Sequence, residues 1–481
     1  MVTDKVTHCL AKGYRLETSG CCAPARHGKK PDRNLSIHVL PIPQRVLQTS
    51  LQLCKFFVSM ISYCMEGSCV RLRDMWARYF SVLLFVGAVG FPKPASALEC
   101  RVLSEPAYVM ASSSAEPMLG EVAKLLARTD AQKQTVIFQI APACSALEAM
   151  VRDTNPGSCA LGACMKGKAY FFPRDPIPDP NRTQTCDLES GGTKIDLVLA
   201  DVFPQTCPAY AQTPPTGVLV AAGPVAAYTF SMSKTATEAA ILAPEAHFVF
   251  GAGQSAGLKP WISDAAIAHL GQQDAGTLLT APRIKLPGNK WKGTVAANTD
   301  ALFDVLFNDT EHGIVVLPTS VADRRRKELR PLAFQAMDQT GAFFPDRRAL
   351  VPDKQSFEKQ NVRDGHYPLW GYLHTVLRQN PANPSEPLSE KGKRLSNIFL
   401  GKSVVGGQDS QVLQVQSGLI PQCVMQVSKT TDAGPMTASA PKDSCRCLFE
   451  HNVVQGTLNC QQCPTGTCTT GICRHNYCEA E

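Results

Sequence analysis

Three short polar turns in this chain combine the side chains with which proteins bind small oxyanions. They are Ser112-Ser113-Ser114, Asp201, and the turn from Asp274 to Thr277. Serine and threonine hydroxyls donate hydrogen bonds to an anion, and the free N–H groups of a following helix add more donors. A neighbouring aspartate can accept the proton of a partly protonated oxyanion. Together the turns predict an anion site, although each one alone is also explained as an ordinary helix N-cap.

The elements around these turns predict how they meet. Strand-like runs at Pro106–Ala111 and Ile195–Ala200 end at the first two turns, and a third run, Thr135–Ile140, leads to Cys144-Ser145. Between them, Glu116–Arg128 has one apolar face at helical spacing. This succession predicts a parallel α/β sheet, in which ligands bind beyond the carboxyl ends of the strands.

A second unit is predicted from Val218 to about Pro345. Its expected elements are two strands, His247–Gly251 and Gly313–Leu317, and two helices, Ser263–Leu270 and Thr299–Phe307. Beyond it, an apolar pattern resumes at Tyr367–Leu377 and a helix is expected near Glu390–Leu400. The alternation of strands and helices again favours an α/β lobe.

Four segments resemble periplasmic solute-binding proteins of the phosphate-binding type. They are HFVFGAGQSAGLKPWISDAAI (His247–Ile267), DAGTLLTAPRIKLPGNKWKG (Asp274–Gly293), RRKELRPLAFQ (Arg325–Gln335) and VRDGHYPLWGYLH (Val362–His374). The resemblance covers roughly residues 99–425. It implies an α/β, two-lobed type 2 periplasmic-binding fold, with parallel or mixed sheets flanked by helices. Crossover hinge segments near residues 215–230 and 360–370 would join the lobes around a ligand cleft.

Carried over turn by turn, the resemblance implies a ligand site built from Ser113, Ser114, Ser145, Asp201, Gly276 and Thr277, with Asp274 beside them. The chain departs from the family's R-x-x-x-S-G-T pattern, because Gly271–Thr277 reads GQQDAGT. Asp274 therefore puts negative charge where the anion should sit, and a buried anion needs cationic or multiple donor partners.

The predicted function is that of an exported solute-binding protein. It would hold a small polar ligand, an oxyanion such as phosphate, in the cleft and serve the membrane subunits of an ABC importer. No catalysis, cofactor or metal is predicted. Without residues 1–97 the chain has 35 Lys+Arg and 36 Asp+Glu, so that no basic patch predicts nucleic-acid binding. We expect a monomer.

An export signal precedes the predicted lobes. Arg71, Arg73 and Arg78 are followed by the apolar run Tyr79–Phe91 and by Ala95-Ser96-Ala97. This order is typical of a secretory signal peptide, and the apolar run is shorter than the roughly 20 residues of a membrane-spanning helix. We predict a signal peptide over residues 65–97, cleaved after Ala97, and a periplasmic or secreted product. Residues 1–64 are interpreted as a disordered or mis-assigned leader.

The predicted boundaries are residues 98–222 and 363–425 for lobe 1, 223–362 for lobe 2, 426–444 for a polar linker and 445–481 for a small Cys-rich module. Fourteen cysteines follow the signal peptide, an even number that predicts disulfides in an exported chain. Zinc is the alternative for the closely spaced cysteines of the tail. The candidates are Cys100, Cys144, Cys159, Cys164, Cys186, Cys207, Cys423, Cys445, Cys447, Cys460, Cys463, Cys468, Cys473 and Cys478.

Two other functions remain open. Gly253–Gly257 reads GQSAG, the nucleophile-elbow pattern of α/β-hydrolases, with Ser255 as the nucleophile. Pro260 argues against it, since an elbow must continue directly into a helix. The second alternative is an extracytoplasmic adhesion or docking protein that acts through the Cys-rich tail.

Overall fold

The computed structural model describes residues 98–129, 131, 133–152, 164–175, 179, 181–287, 290–308, 312–347, 357–453 and 460–479. The predicted leader and signal peptide lie outside these residues, and so does Cys159. Within the described part of the chain, no helix combines the length and the hydropathy needed to cross a membrane.

The described chain contains twenty strands and ten α-helices. The strands are β1 Pro106–Ala111, β2 Thr135–Ile140, β3 Lys168–Phe171, β4 Gln184–Asp187, β5 Leu197–Ala200, β6 Val218–Ser233, β7 Ala240–Leu242, β8 Ile267–His269, β9 Thr294–Val295, β10 Ile314–Pro318, β11 Leu329–Pro331, β12 Ala333–Gln335, β13 Trp370–Asn380, β14 Asn383–Pro387, β15 Val404–Val405, β16 Gln408–Asp409, β17 Val427–Ser428, β18 Thr437–Ala438, β19 Ile472–Arg474 and β20 Tyr477–Glu479. The helices are α1 Glu116–Arg128, α2 Ala143–Arg152, α3 Ala243–Ala252, α4 Ala275–Arg283, α5 Thr299–Asn308, α6 Thr319–Arg324, α7 Gln360–Arg363, α8 Glu390–Phe399, α9 Ser410–Gln416 and α10 Arg446–Asn452.

A twelve-stranded mixed sheet connects both lobes. Its order is β4-β3-β2-β1-β5-β13-β6-β10-β8-β9, with β14 paired to β13 and β11 paired to β6. In lobe 1, β1 runs parallel to β2 and to β5. The long strand β6 pairs through its first part with β13 and through its last part with β10 and β11 of lobe 2. These crossovers confirm the predicted two-lobed type 2 periplasmic-binding architecture.

The core of each lobe forms because the apolar side chains of helix faces and strands are removed from water. Helix α1 buries Met118, Leu119, Val122 and Leu126 against the lobe 1 sheet, along the face that its periodicity predicts. Lobe 2 has a smaller core of its own beneath α5, which includes Leu302 and Leu306. The predicted helix over residues 116–128 is confirmed with the same bounds.

Two elements of lobe 2 differ from the prediction. The apolar run predicted as a strand at His247–Gly251 belongs to helix α3, where Val249 and Phe250 are buried and Phe248 is exposed. A short apolar run has no periodicity that distinguishes strand from helix. The helix begins at Ala243, and the Glu245 carboxylate caps its start by accepting a hydrogen bond from the Leu242 N–H at 3.2 Å. The helix predicted over Ser263–Leu270 is instead a 3₁₀ turn followed by strand β8.

The predicted disulfides are present throughout the described residues. Cys164 is disulfide-bonded, and the other pairs are Cys100–Cys186, Cys144–Cys207, Cys423–Cys445, Cys447–Cys460, Cys463–Cys473 and Cys468–Cys478. Sulfur atoms of Cys463, Cys468 and Cys478 lie within 4.8 Å of one another. Because all three are in disulfides, they offer no thiolate to zinc.

Residues 426–444 do not behave as the free linker that their polar composition predicts. Lys429 and Asp432 are buried against the body. The Lys429 ammonium group donates to the carbonyl oxygen of Trp370 at 2.7 Å, and the Asp432 carboxylate accepts from the Phe203 N–H at 2.8 Å. The segment therefore packs against the crossover strand β13 and against the loop after β5.

Candidate functional site

The first predicted turn and Asp201 meet at one edge of the lobe 1 sheet. Because β1 and β5 are parallel neighbours, their carboxyl ends lie side by side, and the Ser112 N–H donates to the Leu199 carbonyl at 2.9 Å. The Ser114 hydroxyl donates to the Asp201 carboxylate, and so does the hydroxyl of Tyr228 from crossover strand β6. Ser114 and Asp201 are fully buried.

The second-lobe turn brings another buried carboxylate. Asp274 is the N-cap of α4, and its Oδ1 accepts the Gly276 N–H at 2.8 Å. Gly276 packs so closely that an added Cβ atom would lie 3.2 Å from the Tyr228 ring. The Thr277 hydroxyl lies 2.7 Å from the carbonyl oxygens of Gly271 and of Asp274, so that it closes the turn.

Direct contacts between the lobes hold these turns together. The Ser145 hydroxyl, at the start of α2, donates to the Gln273 side-chain oxygen at 2.6 Å. The Ser320 hydroxyl of lobe 2 donates to the Ser114 carbonyl at 3.3 Å. Within lobe 1, the Cys144–Cys207 disulfide ties α2 to the loop that follows Asp201. The structure is thus that of two lobes in contact at the base of their shared cleft.

Neutral hydroxyl and N–H groups are the hydrogen-bond partners of the two carboxylates. In the described ranges, no lysine or arginine forms a hydrogen bond or ion pair with Asp201 or Asp274. Burial raises the pKa of Asp201, while the bonds from Ser114 and Tyr228 oppose that rise. Burial, followed by the charge of Asp201, raises the pKa of Asp274 to about 7. Burial and both aspartates likewise raise the pKa of Tyr228 well above its ordinary value.

A cleft of about 950 Å³ opens between the lobes beside this acidic base. We call it the interlobe cleft. Ser113 and Asp274 line it, and so do the rings of Phe138, Tyr170 and Phe303. The Ser113 side chain is only 3% exposed, and its hydroxyl has no hydrogen-bond partner among the described residues. Other buried hydroxyls of the described residues, such as those of Ser231, Thr280 and Thr319, also lack a partner, but of these residues Ser113 lines the cleft.

The structure brings together the residues that the sequence predicts. Ser113 and Asp274 line the cleft. Ser114, with its partner Asp201, follows Ser113 in the chain, and Gly276 and Thr277 close the turn that Asp274 begins. Ser145 joins this turn through Gln273. The sequence reasoning missed Tyr228 and Gln273. Tyr228 falls in a predicted crossover, and the need of a buried tyrosine hydroxyl for a partner was the available signal.

The hydrolase alternative lacks its geometry. Ser255 is exposed in a short 3₁₀ turn, Gly253–Ala256, which follows helix α3 rather than a strand. The Asp264 carboxylate accepts the Gln254 N–H at 2.8 Å and holds this turn in place. The strand–turn–helix elbow that exposes a nucleophilic serine is therefore not formed around Ser255.

Comparison with known proteins gives matches only among solved structures. No family model and no curated protein matches the chain. A phosphate ABC transporter substrate-binding protein from Clostridium perfringens is 9% identical, with a TM-score of 0.43, over 66% of this chain and 99% of that one. A phosphate transport receptor from Vibrio cholerae is 9% identical, with a TM-score of 0.38, over 65% and 99%. OxyR from Corynebacterium glutamicum is 11% identical, with a TM-score of 0.33, over 72% and 75%. The ligand of this chain has to be argued from its own residues.

Proposed function

We propose that this chain is an exported solute-binding protein that traps a small polar ligand in the interlobe cleft. The observation that carries the proposal is the buried, unpartnered Ser113 hydroxyl in the same cleft that Asp274 lines. Buried polar groups are normally hydrogen-bonded, so that an orphan at the base of a cleft favours a ligand as its partner. Opening and closing of the lobes about β6 and β13 would admit and release the ligand. The disulfides favour an extracytoplasmic location.

Several hydrogen-bond donors and acceptors of the site already have partners within the protein, and this restricts the class of ligand. An oxyanion, which the sequence resemblance implies, would need the Ser114 hydroxyl and the N–H groups at the start of α4. Ser114 donates to Asp201, and the Gly276 N–H donates to Asp274. The site therefore favours solutes that donate hydrogen bonds. Delivery of the ligand to an ABC importer, as the resemblance implies, stays part of the proposal.

A thermal-shift screen of the full chain tests the proposal. The panel contains phosphate, sulfate, amino acids, sugars and small amines. We expect one class to raise the melting temperature, since a ligand at 100 times its Kd stabilises the folded state by about 2.7 kcal/mol. Titration calorimetry then gives the affinity of that compound.

A variant that fills the cleft shows where the compound binds. Gly120 lines the cleft, and an added Cβ atom would meet the Phe172 ring at an unstrained 3.8 Å. Gly120→Trp should abolish the shift, whereas the exposed Asp175→Asn should retain it. If no compound stabilises the protein, or if the shift survives in Gly120→Trp, solute binding in this cleft is refuted.

A further inference from the structure

Two buried carboxyl groups near the base of the interlobe cleft, Asp201 and Asp274, have no cationic side chain as a partner among the described residues. Asp201 uses one carboxylate oxygen to accept from Ser114 and Tyr228, and its other oxygen is buried without a partner among the described residues. Asp274 uses Oδ1 to accept from Gly276 and lines the cleft. Burial of an uncompensated charge is costly, and a cationic partner relieves that cost.

We propose that the interlobe cleft binds its solute through a primary ammonium group, which donates hydrogen bonds to the Asp274 carboxylate and to the Ser113 hydroxyl oxygen. This inference rests on the proposed solute-binding function and specifies its ligand class. An ammonium group has three donors and no acceptor, and therefore matches a carboxylate and an unpartnered hydroxyl. Hydrogen bonds between a cation and a carboxylate are about twice as strong as neutral ones.

The walls of the cleft suit the carbon part of such an amine. Phe138 and Tyr170 of lobe 1 lie with ring centroids 6.1 Å apart, and Tyr170 is 45% exposed. Phe303 faces the cleft from lobe 2. Aromatic faces attract both apolar groups and cations, so that an organic amine fits this lining better than a bare inorganic ion does.

The cationic residues that line the cleft do not make it an anion site, because each one already interacts with an acidic group. Lys124 forms an ion pair with Glu121. Arg324 interacts electrostatically with Glu116. Arg325 lies 3.5 Å from the Glu328 carboxylate and 3.9 Å from the centroid of the Phe303 ring.

Matched probes test the ligand class. Phenethylamine carries an ammonium group on an aromatic body, 2-phenylethanol replaces that group by a hydroxyl, and inorganic phosphate represents the oxyanion. Calorimetry on the full chain should give the amine an affinity at least about tenfold above that of the alcohol, as expected for hydrogen bonds to a charged group. Phosphate should give no heat of binding. Equal affinities of amine and alcohol would overturn the inference.

Two variants test the residues. Asp274→Asn keeps a favourable N-cap for α4 and should weaken amine binding by roughly 10–100-fold. Ser113→Ala removes only the orphan hydroxyl and should weaken amine binding several-fold without lowering the melting temperature. The exposed Asp175→Asn is the control and should bind the amine as the unaltered chain does. Unchanged amine affinity in both site variants overturns the inference.

The outcomes separate this inference from the proposed function. If phosphate or a neutral sugar stabilises the chain, Gly120→Trp abolishes that effect and amines do nothing, the ligand class is wrong but the function stands. If no compound of any class binds, the proposed function fails and the inference fails with it. Amine binding that depends on Asp274 and is lost in Gly120→Trp supports both.

Discussion

Two pairs of aspartates with little solvent exposure have opposite surroundings in this protein. Near the return from lobe 2, Lys359 lies 2.6 Å from the Asp323 carboxylate and 3.0 Å from that of Asp346. Arg326 forms ion pairs with the same two aspartates. We call these four residues the hinge ion cluster. At the base of the interlobe cleft, Asp201 and Asp274 are buried, and hydroxyls and backbone N–H groups are their partners.

The difference shows in the acidity of the carboxyl groups. Burial alone would raise the pKa of Asp346, but the charges of Lys359 and Arg326 outweigh it and the pKa is lowered. Burial raises the pKa of Asp274 to about 7, with no cation to oppose it. Cationic side chains thus balance the carboxylates of the hinge ion cluster, whereas the carboxyl groups at the cleft have none among the described residues. Strongly shifted acids in clefts are frequently functional. The hinge ion cluster is thus structural, and the cleft pair is a candidate binding group.

Breaking the hinge ion cluster should have the largest effect on stability. Lys359→Met leaves the buried Asp346 and the partly buried Asp323 with Arg326 as their cationic partner, and the loss of one partner of a buried ion pair typically costs about 3–5 kcal/mol. Denaturant unfolding should show this loss in the free energy of unfolding. Lys393→Met is the control, because Lys393 lies 3.7 Å from an exposed Glu390 on α8 and should cost less than about 1 kcal/mol. Equal losses in the two variants would contradict the structural assignment of the cluster.

Removing the titratable group of the cleft should change the pH dependence of stability. The folded pKa of Asp274, about 7, is above its ordinary value of 3.8, so that the folded state binds the proton more tightly. Its contribution to stability is complete at low pH and is lost as the pH rises through about 7. Through this group, the free energy of unfolding of the unaltered chain should fall by about 1–3 kcal/mol between pH 5 and pH 8, since one pKa unit is worth about 1.4 kcal/mol. Asp274→Asn should not show this fall.

The comparison of the two proteins at each pH isolates Asp274. Burial lowers the pKa values of His269 and His374 to about 4. Both histidines therefore lower the free energy of unfolding as the pH falls below their ordinary pKa of 6.5. Because both histidines are present in both proteins, their contributions cancel in the difference. Parallel stability curves for the unaltered chain and Asp274→Asn would show that Asp274 has an ordinary pKa.

The fold was predictable where one segment carries its own periodicity. The apolar stripe of α1 and the β-rich runs of β1 and β2 identify their elements without any knowledge of neighbours. The meeting of Ser114 with Asp201 also followed from the sequence, because adjacent parallel strands end at the same edge. The strand prediction for residues 247–251 was wrong, because an apolar run without polar interruption is compatible with a buried helix as well as with a strand.

Contacts between distant segments could not be predicted. The composition of residues 426–444 indicated a linker, yet Lys429 is buried with its ammonium group 3.9 Å from the centroid of the Trp370 ring. The hinge ion cluster joins residues 323 and 326 to residues 346 and 359, a pairing that no local spacing signals. The same holds for the Tyr228 bond to Asp201, which forms only because the crossover strand passes the cleft base.

Removing the second charge of the cleft pair should have the smallest effect and should separate its two physical causes. Asp201→Asn keeps a side chain that can accept from Ser114 and Tyr228 and deletes the charge that helps to raise the pKa of Asp274. Because burial is the larger cause, the pKa of Asp274, followed by NMR titration of its carboxyl carbon, should fall but stay above 3.8. The corresponding change in the free energy of unfolding should be below about 1 kcal/mol, because a shift of one full pKa unit corresponds to about 1.4 kcal/mol. A fall to the ordinary value would mean that the two acids repel each other strongly and that burial contributes little, in which case the contrast with the hinge ion cluster arises from charge alone.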